Sequence, residues 1–146
     1  MGCKFQTVGS LNLHGLNQGQ SMLSELCQTC CIIFVQEHGL LPSNLDCLAG
    51  LDDKFTAVAS SAMEDAIGRG FLRGRPFGGV GILVDNKLVC NLKILFKLDR
   101  LIAIKIKNCL YINVYFPVNT CNSHPRLCLW RHIVGTSRCY RKCVKQ

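Results

Sequence analysis

Between residues 8 and 35 the spacing of apolar side chains changes twice. Val8 to Leu13 alternates, with Leu11 and Leu13 on one face and Ser10 and Asn12 on the other, which predicts a short strand. Gly15 and the polar Asn17-Gln18-Gly19-Gln20 break it. From about Ser21 the residues Met22, Leu23, Leu26, Cys27 and Cys30 recur at helical spacing, with Ser21 as a cap and Glu25 in the first turns. Cys31-Ile32-Ile33-Phe34-Val35 is a continuous β-branched and aromatic run, the mark of a strand covered on both faces. It ends in Gln36-Glu37-His38-Gly39. Strand, crossover helix and second strand make a βαβ-like opening.

A short helix is expected from Ser43, with Asp46 in its first turn and Gly50 as its stop. From Phe55 onward the pattern is one of strands and tight turns. Phe55 to Ser60 alternates, residues 62–77 form a polar connection rich in Gly and Arg, and Val80 to Val84 leads into Asp85-Asn86. That pair predicts a hairpin, with Lys87 to Val89 as the returning strand. Ile94, Phe96 and Leu98, then Ile102, Ile104 and Ile106, then Leu110, Ile112, Val114 and Phe116 each alternate with other residues. They read as a β-meander with one buried face, leaving Asn113 and Tyr115 on the opposite one. Pro117 ends the last strand, and beyond it no apolar period is sustained. The expected fold class is therefore α/β, with residues 1–117 as the ordered part and residues 118–146 as a basic, Cys-rich tail.

Composition narrows this picture. A hydrophobic share of 49% with 18% charged residues excludes a disordered chain. No apolar run is long enough to cross a bilayer, and the N-terminus lacks the apolar core of a secretory signal. Eleven cysteines, an odd number at irregular spacings, then point to reduced thiols and an intracellular location. Cys31, Cys47, Cys90 and Cys109 stand in or beside apolar runs, as buried thiols do. Net charge is +8, unevenly placed: residues 1–120 hold eleven Lys/Arg against nine Asp/Glu, and residues 121–146 hold six Lys/Arg and no acid. Such a tail favours polyanions without specifying which.

Candidate chemistry is sparse. Asn12 and Glu37 are oxygen donors at the ends of two strands that can be neighbours, and an amide oxygen with a carboxylate suits a hard cation such as Mg²⁺. The alternative is that Asn12 caps a turn and Glu37 is solvated. Gly78-Gly79-Val80-Gly81 lacks the strand-then-helix order of a phosphate loop, so close backbone packing explains it better. Arg69, Arg73 and Arg75 can meet a phosphate backbone or simply be solvated. In the tail, Cys121, His124, Cys128, His132, Cys139 and Cys143 hint at zinc but match no strong spacing. Cys27 and Cys30 fit core packing better than redox chemistry, and neither His14 nor His38 has a visible catalytic partner.

Taken in order, four segments resemble one family. Leu11-Asn12-Leu13-His14-Gly15-Leu16 is similar to the Asn-x-x-Gly-Leu opening of the endonuclease/exonuclease/phosphatase superfamily, and Ile32 to His38 resembles its second strand, ending in Gln-Glu. Gly78 to Val84 looks like the Gly-Gly strand of the retrotransposon branch, and Asn113-Val114-Tyr115-Phe116-Pro117 like its Asn-x-Tyr-x-Pro strand. The resemblance is to the apurinic/apyrimidinic-like endonucleases of non-LTR (LINE-type) elements, which nick DNA to prime reverse transcription. It implies a two-sheet α/β sandwich, Mg²⁺ held in part by Asn12 and Glu37, Tyr115 beside the scissile phosphate, DNA as partner, no membrane, and a nuclear site of action.

Family members continue with a Gly-Asp-x-Asn strand and a later Asp-His pair, and neither occurs here; residues 118–146 contain no Asp. The expectation is thus a truncated domain with activity mostly or wholly lost, whose uncovered sheet promotes self-association. A different class of reading, a non-catalytic nucleic-acid binder using the basic tail, stays open beside it, as does a product with no selected function.

Overall fold

A computed structural model describes residues 6–70 and 74–116 of the chain. Seven strands and four helices follow one another as β1 (Val8–Asn12), α1 (Leu16–Thr29), β2 (Ile32–Gln36), α2 (Asp46–Ala49, entered through a 3-10 turn at Pro42–Asn44), β3 (Phe55–Ser60), α3 (Glu64–Gly68), β4 (Val80–Asp85), α4 (Asn86–Val89), β5 (Leu92–Leu98), β6 (Leu101–Ile106) and β7 (Cys109–Val114). They build two sheets, one in the order β1-β2-β4-β3 and the other in the order β5-β6-β7. β1 and β2 run parallel, as the crossover through α1 requires, while β4 is antiparallel to both β2 and β3.

The continuous apolar run of β2 has its cause in this layering. Ile33 and Val35 face the helices and pack with Leu13, Leu23, Cys27, Leu48, Phe55, Ala59 and Leu83. Ile32 and Phe34 face the other sheet, in a cluster with Val58, Val80, Ile82, Val84, Ile102, Ile104 and Ile106. β2 and β4 are thus buried on both faces, and each fully buried aliphatic side chain there contributes about 1.5–3 kcal/mol. Helices cover one face of the first sheet and the second sheet covers the other. The expected α/β class with two sheets is the architecture observed.

Several local expectations need correction. The helix begins at Leu16, not Ser21, so the polar Asn17-Gln18-Gly19-Gln20 segment is its first turn and Ser21 caps nothing. Gly19 is there because Leu13 lies against it: a Cβ at Gly19 would stand 3.0 Å from the Leu13 Cα. Met22, placed on the buried side by spacing, is 55% exposed. Asp85-Asn86 is not a hairpin turn; the Asp85 carboxylate accepts from the Lys87 N–H at 2.9 Å and caps α4. The polar connection contains α3. Cys47, Cys90 and Cys109 are exposed free thiols, although Cys27 is buried as expected.

The meander forms with Ile102, Ile104 and Ile106 buried as expected, yet β7 turns inward the face opposite to the expected one. The register sets Asn113 opposite Ile102 and Tyr111 opposite Ile104, so Tyr111, Asn113 and Tyr115 share the inward face with the isoleucines. Alternation reveals that a strand has two faces; it cannot say which one a second layer covers. β5, at the sheet edge, is covered only at Leu92, and Ile94, Leu95, Phe96 and Leu98 stay exposed. Among the described residues no helix is long and apolar enough to cross a membrane. The tail expectations, including its zinc spacing, lie outside the described residues.

Candidate functional site

The parallel register pairs Asn12 with Gln36, so β1 and β2 end side by side. The chain leaving β2 is then clamped from two directions. Leu13, Gly15 and Leu16 N–H groups donate to the Gln36, Glu37 and His38 carbonyls at 2.9, 2.7 and 3.0 Å. From the other side, Glu37 N–H donates to Gly79 O at 2.8 Å and Gly39 N–H to Gly78 O at 2.9 Å. Within this clamp two non-glycine residues adopt left-handed backbone, His14 at φ 50 and Glu37 at φ 54. Such conformations cost roughly 1–3 kcal/mol each and persist where surrounding bonds over-determine them. Asn12 supplies one of those bonds, its Oδ1 accepting from His14 N–H at 3.1 Å.

The outcome is a small cluster at the strand ends. His14 Nδ1 lies 2.9 Å from Glu37 Oε2, an ion pair whenever the imidazole is protonated. Tyr115, the residue after β7, donates its hydroxyl to Glu37 Oε1 from the second sheet. Its backbone N–H donates to Arg100 O at 3.0 Å, which extends the β6–β7 pairing by one step. Glu37 has a lowered pKa, chiefly because the Tyr115 hydroxyl donates to the carboxylate; Asn12 and His14 assist and partial burial opposes them. The same bond raises the Tyr115 pKa, helped by burial and by the Glu37 charge, while the Arg100 charge pulls it down. Arg100 Nε, 3.5 Å from Asp99 Oδ2, is buried and makes no hydrogen bond.

A hard divalent cation suits these donors within limits. Glu37 offers a carboxylate held ionised, and Asn12 Oδ1, with one lone pair given to His14 N–H, keeps the other. Mg²⁺ is commonly held by one or two carboxylates, with water and substrate phosphate completing its shell. Among the described residues no three His, Cys, Asp or Glu side chains converge, so an all-protein cage is not formed.

Asn12 and Glu37, paired as donors from the sequence, and Tyr115, added by the resemblance, come together here. Asn12 also makes the turn bond expected of it as an alternative to metal binding. His14, which the sequence leaves without a visible partner, joins them from left-handed backbone, its Nδ1 beside Glu37. Arg75 lies over the entry to α1, where a Cβ at Gly15 would stand 3.3 Å from its Nη2. Arg69 is exposed in the connection, and Arg73 lies outside the described residues. His38 is 1% exposed; its Nδ1 accepts from Leu40 N–H and its Nε2 donates to Ser60 O, both at 3.0 Å, which fixes a neutral tautomer. Burial depresses its pKa. Gly79 has φ +87 and its missing Cβ leaves room for the His38 ring, so close packing is the reason for that glycine.

No family model matches the chain, and no curated protein matches it. Solved structures do. A 3′ phosphatase from Neisseria, bound to a product DNA hairpin, shares 20% identity with a TM-score of 0.54, covering 76% of this chain and 41% of its own. An AP endonuclease from Archaeoglobus fulgidus shares 18% identity with a TM-score of 0.55, over 77% of this chain and 42% of its own. The AP endonuclease of Leishmania major shares 15% identity with a TM-score of 0.52, over 87% and 44%. The chain thus spans about two fifths of the length of these neighbours. At such identities the likeness concerns architecture, and the described residues have the two-sheet α/β fold of the AP endonucleases and the Neisseria 3′ phosphatase.

Proposed function

We propose that this chain carries part of a divalent-cation phosphodiesterase site of the retrotransposon endonuclease type, acting on or binding DNA, with little or no turnover of its own. One observation carries the reading: Asn12 and Glu37 end neighbouring parallel strands while Tyr115 reaches the same carboxylate from the opposite sheet. Asn12 and Glu37 would hold Mg²⁺, which when bound neutralises charge on a phosphodiester. Tyr115 keeps Glu37 ionised and oriented, and its hydroxyl is placed to donate to a phosphate oxygen once the carboxylate is otherwise engaged. His14 holds the second carboxylate oxygen. Residues 1–146 contain neither the Gly-Asp-x-Asn segment, whose Asp would orient a water, nor the Asp-His pair that would complete the metal and phosphate site, and losing a positioning group costs about 10²–10⁴-fold in rate.

The test combines Mn²⁺ uptake with Mg²⁺-dependent nicking of supercoiled and abasic DNA. Uptake by the whole chain, lost in Glu37→Ala, with little nicking is the expected result. Absence of uptake overturns the metal assignment; brisk nicking abolished by Glu37→Ala overturns the claim of low turnover.

The uneven charge favours one further reading, nucleic-acid binding through residues 121–146, which hold six Lys/Arg and no acid. Removing those residues should then abolish salt-sensitive DNA binding. Affinity unchanged by the deletion rejects this reading.

A further inference from the structure

We infer that Asn113 is a positioning residue whose amide sets the offset between the two sheets, and so holds Tyr115 against Glu37. This rests on the reading of that pair as part of a cation and phosphodiester site. Asn113 is 2% exposed on the inward face of β7, opposite Ile102. Its Nδ2 donates to Val35 O at 2.9 Å and to Gly81 O at 2.7 Å, carbonyls of two residues paired across β2 and β4. Its Oδ1 accepts from Gln36 Nε2 at 2.8 Å, and the same Nε2 lies 3.3 Å from Ser10 Oγ on β1. Both amide donors and the acceptor are therefore used, and one side chain of the second sheet is tied directly to β2 and β4 of the first and, through Gln36, to β1.

Geometry links this clasp to the site. Gln36 immediately precedes Glu37, and Asn113 precedes Tyr115 by two residues on the same strand face. Two side-chain bridges thus cross between the sheets side by side, Asn113 to residues 35, 36 and 81, and Tyr115 to Glu37. The surrounding contact is made by Ile, Val and Phe side chains, whose attraction is non-directional and tolerates sliding. Hydrogen bonds from a buried amide do not tolerate it, because a displaced donor is left desolvated and unpaired. A leucine would fill the same place with less desolvation cost, so an amide there is explained by what it aligns.

The experiment uses the whole chain and compares wild type with Asn113→Leu, Asn113→Ser, Gln36→Leu, and whichever of Ile104→Val or Ile104→Ala matches Asn113→Leu in stability. One readout is the nuclear Overhauser contact between the Tyr115 ring and the Glu37 side chain; the other is Mn²⁺ affinity. Asn113→Leu should lose the contact and weaken Mn²⁺ uptake about tenfold or more, the order seen when groups behind metal ligands are removed. Gln36→Leu should weaken it less, and the Ile104 variant should change neither readout. If Asn113→Leu does not fold, Asn113→Ser carries the comparison. A folded Asn113 variant retaining both the contact and the affinity overturns the inference. Wild type that takes up no Mn²⁺ but loses the contact on Asn113→Leu supports the positioning role and rejects the metal assignment instead.

Discussion

The Tyr115 hydroxyl donates to Glu37 Oε1, joining the end of the second sheet to the end of the first. Glu37 makes this contact from left-handed backbone, at φ 54. Tyr115→Phe removes the largest influence that lowers the Glu37 pKa. The carboxylate pKa should rise toward its ordinary value of 4.5, with Asn12 and His14 still holding it down and partial burial pushing it up. A group whose folded pKa is lowered stabilises the fold above its unfolded pKa and loses that contribution as pH falls through the folded one. The part of the acid limb that Glu37 supplies below about pH 4.5 should therefore shrink or disappear in Tyr115→Phe. Carboxyl carbon shifts of Glu37 followed against pH measure the change, and an unaltered titration contradicts it.

His38 makes a second, separable demand on pH. Buried and neutral, it has a pKa depressed below 6.5, so the unfolded chain binds the extra proton first as acid is added. Stability should be flat with respect to this group above about pH 6.5 and should decline below it, down to the folded pKa. In His38→Leu that slope should disappear while stability at pH 7.5 drops by about 1–3 kcal/mol, because Leu40 N–H and Ser60 O lose their partner. Urea unfolding at pH 7.5 and 5.5 for both proteins decides the matter; equal slopes would remove His38 from the account.

Gly79 is required by the same ring. Its φ of +87 disfavours any side chain, and a Cβ would penetrate the His38 imidazole. Gly79→Ala should destabilise by roughly 1–3 kcal/mol from backbone strain alone, with the clash adding to it. Gly68, in open space without positive φ, is the internal control, and Gly68→Ala should be near neutral or slightly stabilising. Thermal unfolding of the two variants ranks them; equal melting temperatures would contradict the packing argument.

How much of this was legible beforehand depended on what each signal measures. The β-branched run of Ile32 to Val35 announced a strand covered twice, and the spacing between strands announced the parallel opening, because burial and crossover length act locally on sequence. Phe55–Ser60 was likewise visible from alternation and its flanking polar residues. Asn12 and Glu37 are legible as oxygen donors at strand ends, and Tyr115 only through the family resemblance. The rest was hidden in tertiary relations. Asn113 looked like a solvent-facing polar residue because alternation sorts side chains by polarity, and here polar groups lie between the sheets. The start of α1 is obscured by polar residues in its first turn, and its N-cap is Gly15, which has no side chain to mark it. His14 meets Glu37 from a backbone φ of 50, which no pattern of residue types encodes.

The outer side of the second sheet carries Phe96 at 54%, Leu98 at 44% and Leu110 at 47% exposure. An apolar face of this kind lowers solubility and invites sheet-to-sheet association. Phe96→Lys combined with Leu110→Lys should raise solubility and reduce concentration-dependent growth in sedimentation, with stability changed by no more than about 0.5 kcal/mol, as for surface sites. Growth unaffected by both substitutions would assign the association to another surface.

Asn12 separates the metal reading from the turn reading. As a turn residue it needs one oxygen for His14 N–H, and an aspartate side chain at the same position would supply that oxygen equally well. As a cation ligand, a second carboxylate beside Glu37 would add charge where the cation sits, and in its absence would repel the first. Asn12→Asp should therefore preserve stability at neutral pH to within about 1 kcal/mol, raise the Glu37 pKa by like-charge repulsion, and tighten Mn²⁺ uptake. Asn12→Ala should weaken uptake and loosen the turn together. The discriminating comparison is Asn12→Asp against wild type in a Mn²⁺ titration. Unchanged uptake alongside a raised Glu37 pKa would show that residue 12 touches the carboxylate without sharing its cation, and Asn12 would then remain a residue of the turn alone.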